Sequence, residues 1–123
     1  MQAVNSAFPA DILGVQVARH GPDARVVTVI GEVDTVTAPQ LAAVLTEQLA
    51  IARLVVVNLD GVQFLGSAGL QVLFEANELA TQQGRHLRLV CNSPTANLTL
   101  ESTGLREHLT FANNVPDALN NRS

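Results

Sequence analysis

A chain of 123 residues, 47% hydrophobic and with a net charge of −4 at neutral pH, is one domain long and has enough apolar side chains for a substantial core. Its 7 Lys and Arg are outnumbered by 11 Asp and Glu, and its 4 Phe stand without Trp or Tyr, so neither nucleic acid nor an anionic membrane is an expected partner. The lone Cys91 excludes a disulfide framework and a Cys-based zinc site, and no apolar run approaches the ~18 residues needed to cross a bilayer.

Residues 1–10 hold no Lys or Arg and no long apolar run, so they read as a loose tail and not as a signal peptide. With a single unpaired cysteine, the expected compartment is the reducing cytoplasm. Ile12 to Arg19 alternates, with Leu13, Val15 and Val17 on one face, as a half-buried strand does. His20-Gly21-Pro22-Asp23 is a turn, and the β-branched stretch Arg25 to Ile30 is a second strand, antiparallel to the first because the connection is short.

Gly31-Glu32-Val33-Asp34 then leads to a helix opened by Thr37-Ala38-Pro39, with Thr37 as the expected N-cap and Leu41, Val44, Leu45 and Leu49 at helical spacing. Leu54 to Leu59 is apolar except at Asn58, the pattern of a strand covered on both faces. A turn through Asn58, Asp60 and Gly61 is expected next, then the small-residue knot Gly66-Ser67-Ala68-Gly69. A second helix follows from about Ser67 to Gln83, ended by Gly84. Leu87 to Cys91 is a strand, and Asn92-Ser93-Pro94 begins a third helix that Gly104 stops. Thr110-Phe111 and Pro116 to Asn120 suit a short last strand and a last helical turn, and residues 121–123 fray. Strands alternating with helices imply right-handed crossovers and an α/β fold. The expectation is a single domain over residues 11–120. It has a mostly parallel sheet of about four or five strands, an antiparallel N-terminal edge strand and about four helices.

The chemistry-bearing residues admit few readings. His20, His86 and His108 lie far apart, at no metal-ligand spacing. Ser67 sits where a strand enters a helix, as a hydrolase nucleophile does. The elbow needs Gly-x-Ser-x-Gly, however, and Leu65 stands where its first Gly belongs. No phosphate-cradling glycine motif is present. Glu32 and Asp34 straddle a strand end, and a contact loop or solvated turn suits them better than an acid/base pair. Cys91, near a strand end, reads as a small buried hydrophobe. A serine before a helix is most often only a cap. Gly66, Ala68 and Gly69 strip side chains from around this one, which a cap does not need.

In their order and spacing these residues resemble the STAS domain, and most closely the bacterial anti-sigma-factor antagonists. Gly31-Glu32-Val33-Asp34 with Thr37-Ala38 is similar to the family's Gly-Glu-Leu-Asp loop and Thr-Ala helix start. Val56-Val57-Asn58-Leu59 is similar to its buried strand. Phe64-Leu65-Gly66-Ser67-Ala68-Gly69-Leu70 falls on its Phe-x-Asp-Ser-Ser/Thr-Gly-Leu signature. Cys91-Asn92-Ser93-Pro94 and Ser102-Thr103-Gly104-Leu105 resemble the turns before and after its third helix.

The resemblance implies the STAS fold and a protein-binding function without catalysis or cofactor. The implied partner is an anti-sigma factor with a kinase-type ATPase fold, whose capture frees a sigma factor. Ser67 is the implied phosphoacceptor, reset by a PP2C-type phosphatase. The expected partner surface joins Glu32, Asp34, Thr35 and Thr37 to Asn58, to Gly66, Ser67, Ala68 and Gly69, and to Val72, with Leu79 beside it on the second helix. Two positions depart from the pattern: Gly66 stands where the family has Asp, and Ala68 where it has a second hydroxyl. The missing acid bears on the regulation, not on the fold. The alternative is a STAS scaffold subunit of a lipid or anion transport complex, in which Ser67 is only a cap.

Overall fold

A computed structural model describes residues 13–120; the expected tail, residues 1–10, and frayed end, residues 121–123, lie outside the described residues. Strands β1 (Gly14–His20) and β2 (Ala24–Val33) form an antiparallel hairpin, turned at Gly21 with φ 73°. Strand β2 then pairs in parallel with β3 (Leu54–Leu65), β3 with β4 (His86–Val90), and β4 with β5 (Phe111–Ala112). The order in the sheet is the order in the chain. This mixed α/β sheet with an antiparallel N-terminal edge is the architecture expected from the sequence. Each parallel step is made by a helix, α1 (Ala38–Ile51), α2 (Ser67–Gln82) or α3 (Pro94–Thr103), as parallel pairing requires. A 3₁₀ turn at Leu105–His108, not expected from the sequence, leads into β5, and α4 (Val115–Asn120) follows.

Two apolar layers explain the uninterrupted run in β3. Val55, Val57 and Leu59 face the larger core, with Leu41, Leu45 and Leu49 of α1, Leu70 and Leu73 of α2, and Leu100 of α3. Leu54 and Val56 face the other side, where Val26, Val90 and Ala118 of α4 close a smaller cluster. Each fully buried Leu contributes about 1.5–3 kcal/mol, so the helix faces chosen by 3.6-residue spacing hold the sheet to one register. Strand β1 is the exposed edge. Leu13 before it is buried and Val15 half-buried, but Val17 is 44% exposed.

The largest departure from the expected elements lies at the end of β2 and β3. Strand β2 does not stop at Ile30 but runs through Gly31 and Glu32 to Val33, and β3 continues from Leu59 to Leu65. Asn58, Asp60 and Gly61 look like a turn because each is a turn former. Here they sit in a strand that slips register twice, between Thr28 and Ile30 and again between Gly31 and Glu32 of the partner strand. Such bulges let a strand carry extra residues. Their polar groups are satisfied sideways. Asn58 Oδ1 accepts the Asp60 N–H at 3.0 Å, and the Asp60 carboxylate accepts the Asn92 backbone N–H at 2.7 Å and its Nδ2 at 3.1 Å. The extended strand delivers Gly66 to the end of β2, where its N–H donates to Val33 O at 2.9 Å. A single residue then separates β3 from α2.

Among the described residues, no helix is long and apolar enough to cross a membrane, and no three His, Cys, Asp or Glu side chains converge as a metal site would require.

Candidate functional site

The carboxyl ends of β2 and β3 and the amino ends of α1 and α2 meet at one edge of the sheet, the customary place for function in an open α/β fold. The α1 side is built by Asp34. Its Oδ1 accepts the N–H groups of Val36 and Thr37, each at 3.0 Å. The Thr37 N–H bond and the Thr37 hydroxyl favour the ionised form and outweigh the opposing effect of desolvation, so the Asp34 carboxyl is held below the usual 3.8.

Thr37, the expected cap, occupies the N-cap position without capping. Its backbone is already helical, with φ −93° and ψ −20°. Its hydroxyl therefore points back to the end of β2, accepting from Asp34 N at 2.9 Å and donating to Glu32 O at 2.8 Å, with Asp34 Oδ1 at 3.1 Å as the alternative acceptor. Asp34 and Thr37, two of the four polar side chains expected on a partner surface here, are thus used to hold the loop, and Thr37 is buried. What the loop presents outward is Glu32, Thr35 and Val36, the last 64% exposed. Glu32, expected in a loop, lies in β2.

On the α2 side, Gly66 is the N-cap and Ser67 the first helical residue. No side chain caps this helix, and Ser67 is exposed. Ser67 is therefore not the cap of this helix. Its hydroxyl stands at the start of a helix whose first N–H groups lack a side-chain partner, the electrostatic setting that best tolerates an anion.

The neighbouring small residues do different things. Gly66 has φ −87° and ψ 178°, an extended backbone open to any residue. A Cβ there would stand 3.0 Å from Cε2 of Phe64, whose ring lies against it. Gly69 is not part of an accessible clearing, as expected, but is buried. A Cβ at Gly69 would fall 2.6 Å from Cγ1 of Val33 and 2.7 Å from Cδ1 of Leu65, so glycine is what lets α2 approach the sheet. Ala68 is half-buried and packs on the same core.

Other expected members fall elsewhere. Val72 and Leu79 are half-buried against the core and, with Ala42, Thr46 and Ala76, line a cleft of about 120 Å³ between α1 and α2. They are not a free apolar face, because helical spacing alone cannot tell a second helix from solvent. Asn58 lies within the body of β3, paired with Thr28 and Val90, its side-chain oxygen already engaged.

Neither downstream histidine supports a hydrolase. His86 begins β4 opposite Leu54, the first residue of β3, while Ser67 follows the far end of that 12-residue strand, on the order of 30 Å away. His108 sets its ring edge-on to Phe74 at 6.3 Å, and Phe74 lies about 10 Å along α2 from Ser67 at the usual helical rise. Cys91 is buried, and burial pushes its thiol above the usual value. It behaves as a hydrophobe.

Two further exposed side chains lie beside the site: Phe64, within the stretch expected to form the partner surface but not singled out there, and Ile30, outside it, 46% and 44% accessible. Both lie on the sheet face opposite α1–α3, since their chain neighbours Val29 and Leu65 point into the larger core. Strand alternation past Val29 places Ile30 on that face, but Phe64 lies beyond the two register slips, where alternation no longer assigns a face.

Comparison with known proteins agrees with this fold. A sequence model of the STAS domain matches residues 16–118. An anti-sigma factor antagonist from Mycobacterium paratuberculosis is 30% identical, superposes with a TM-score of 0.83, and aligns over 93% of this chain and 97% of its own. The Bacillus cell fate determinant SpoIIAA in its phosphorylated form is 17% identical over 87% of this chain and 97% of its own, with a TM-score of 0.67. A serine-to-glutamate variant of RsbS from Moorella thermoacetica is 21% identical over 86% and 92%, with a TM-score of 0.72. No curated protein sequence matches the chain.

Proposed function

The chain belongs to the STAS-domain family, and from that membership we propose that it is an anti-sigma factor antagonist controlled at Ser67. The similarity to the mycobacterial antagonist supports the general role. In this reading the unmodified protein binds an anti-sigma factor of kinase-type ATPase fold and so releases a sigma factor. Phosphorylation of Ser67 by that partner ends the complex, and a PP2C-type phosphatase restores it. The chain itself binds and does not catalyse.

The observation that carries the reading is the placement of Ser67: exposed, first in α2, and free of the capping duty that would tie up its hydroxyl. A phosphate there adds about −1.5 to −2 charges. The helix dipole and the uncapped first turn accommodate that charge, so the fold survives it. That the same fold exists in phosphorylated SpoIIAA supports this tolerance. In an interface the dianion must be desolvated or must face like charge, at a cost of several kcal/mol. About 3 kcal/mol is already more than a hundredfold in affinity, so the modification switches binding and leaves the domain intact.

The test is a titration of candidate anti-sigma factors with wild type, Ser67→Ala and Ser67→Glu. Wild type and Ser67→Ala bind alike, and Ser67→Glu binds at least about a hundredfold more weakly. Equal binding by Ser67→Glu removes the switch. Intact-mass measurement after incubation with the kinase and ATP shows one added phosphate on wild type and none on Ser67→Ala.

A further inference from the structure

Glycine at position 66 has no backbone reason: its extended φ and ψ suit any residue, and the N-cap position ordinarily favours Ser, Thr, Asp or Asn. What the missing side chain permits is a contact. The Phe64 ring rests tightly against the point where a Cβ would be, with Cε2 at 3.0 Å and Cζ at 3.4 Å from it. Phe64 is nonetheless 46% exposed. The other two described phenylalanines are engaged: Phe74 meets the His108 ring edge-on, and Phe111 lies 4.3 Å under the Arg106 guanidinium. Phe64 pairs across the sheet with Glu32 and precedes Ser67 by three residues, with Ile30 two residues before Glu32 on the same face. The α4 cluster covers that face farther down the sheet, at Val26, Leu54, Val56 and Val90 with Ala24 and Ala112 beside them.

We propose that Phe64, seated on Gly66, is the apolar anchor that determines recognition at Ser67, and that its burial by the partner is what makes a charge on Ser67 incompatible with binding. The inference rests on the reading of Ser67 as the switch and adds the residue through which the switch acts. Exposed aromatic rings that become fully covered dominate the affinity of protein interfaces, and the surrounding contacts serve mainly to exclude water. A partner that covers this ring also dries the first turn of α2. A phosphate on Ser67 then has no water to solvate it, and the anchor and the charge oppose each other. Without the ring, the contact stays wet and the same charge is tolerated.

A double-mutant cycle of Phe64→Ala and Ser67→Glu tests this, with affinity for the anti-sigma factor as the readout and Phe64→Leu as the variant that keeps apolar area. Phe64→Ala weakens binding by about tenfold or more, as hot-spot truncations do, and Phe64→Leu recovers most of the loss. In the Phe64→Ala background the penalty of Ser67→Glu shrinks by about tenfold or more relative to its penalty in wild type, the coupling expected of groups in one contact. Gly66→Ala, whose methyl displaces the ring, lies between wild type and Phe64→Ala. Binding by Phe64→Ala within about twofold of wild type overturns the inference, as does an undiminished penalty of Ser67→Glu in that background. If Ser67→Glu carries no penalty in wild type either, the switch reading itself has failed, and the inference with it.

Discussion

Gly69→Ala adds one methyl group where the structure has no room for it. The new Cβ would stand 2.6 Å from Cγ1 of Val33 and 2.7 Å from Cδ1 of Leu65. Both neighbours are no more than 1% exposed and cannot swing into solvent, and Val33 is β-branched with little rotamer freedom. Ordinary carbon contacts begin near 3.5–4.0 Å, so the start of α2 must lift from the sheet by about 1 Å. Overpacking of this kind costs about 1–3 kcal/mol. The better helix propensity of Ala returns at most about 1 kcal/mol. The clash is double and against core atoms, so the net loss is about 1–2 kcal/mol. For a chain of this size that corresponds to a fall in Tm of about 4–8 °C. Urea unfolding followed by circular dichroism measures it as a lower midpoint at unchanged m-value. A Gly69→Ala protein as stable as wild type would refute the close approach of α2 to Val33 and Leu65. It would restore the simpler idea that glycine merely clears space around Ser67.

Ser67→Ala changes stability by no more than about 0.5 kcal/mol, because the hydroxyl caps nothing; a loss of about 1 kcal/mol or more in urea unfolding would show that it is a cap after all. Asp34→Ala lowers the urea midpoint at neutral pH by removing the acceptor of the Val36 and Thr37 N–H groups. The folded-state pKa of Asp34 is depressed, so its stabilisation is complete above the usual 3.8 and is lost as the pH falls through the lower folded value. The gap between wild type and Asp34→Ala therefore narrows as the pH falls below about 4 and vanishes below the folded value, and a gap that stays constant as the pH falls contradicts this role. Ser93→Ala costs about 1–3 kcal/mol. The buried Ser93 hydroxyl donates to Val62 O at 2.8 Å and accepts from Ala96 N at 3.3 Å, and both groups are orphaned together. A loss below about 0.5 kcal/mol by thermal unfolding would mean that neither bond matters.

What the sequence by itself determined is the order of the elements, the class of fold and the position of one serine. Those depend on short-range physics. Leu41, Leu45 and Leu49 repeat with the helical period, Leu54 to Leu59, apolar but for Asn58, has the β-branched, near-continuous pattern of a strand between two layers, and Gly104 stops α3 in the left-handed conformation, φ 73°. The resemblance of Phe64 to Leu70 to a family signature was equally local.

The tertiary structure decided what each small or polar residue does. Asn58, Asp60 and Gly61 are turn formers in isolation. They become strand residues only because β2 lies alongside and Asn92 reaches across to take up the Asp60 carboxylate. Asp34, not Thr37, receives the N–H groups at the start of α1, and the buried Thr37 hydroxyl turns back instead to a carbonyl at Glu32 that no local rule foresees. Gly66 and Gly69 look alike in the chain, three residues apart. One faces an exposed phenylalanine ring, the other a buried valine and leucine, and only the packing of α2 against the ends of β2 and β3 tells them apart.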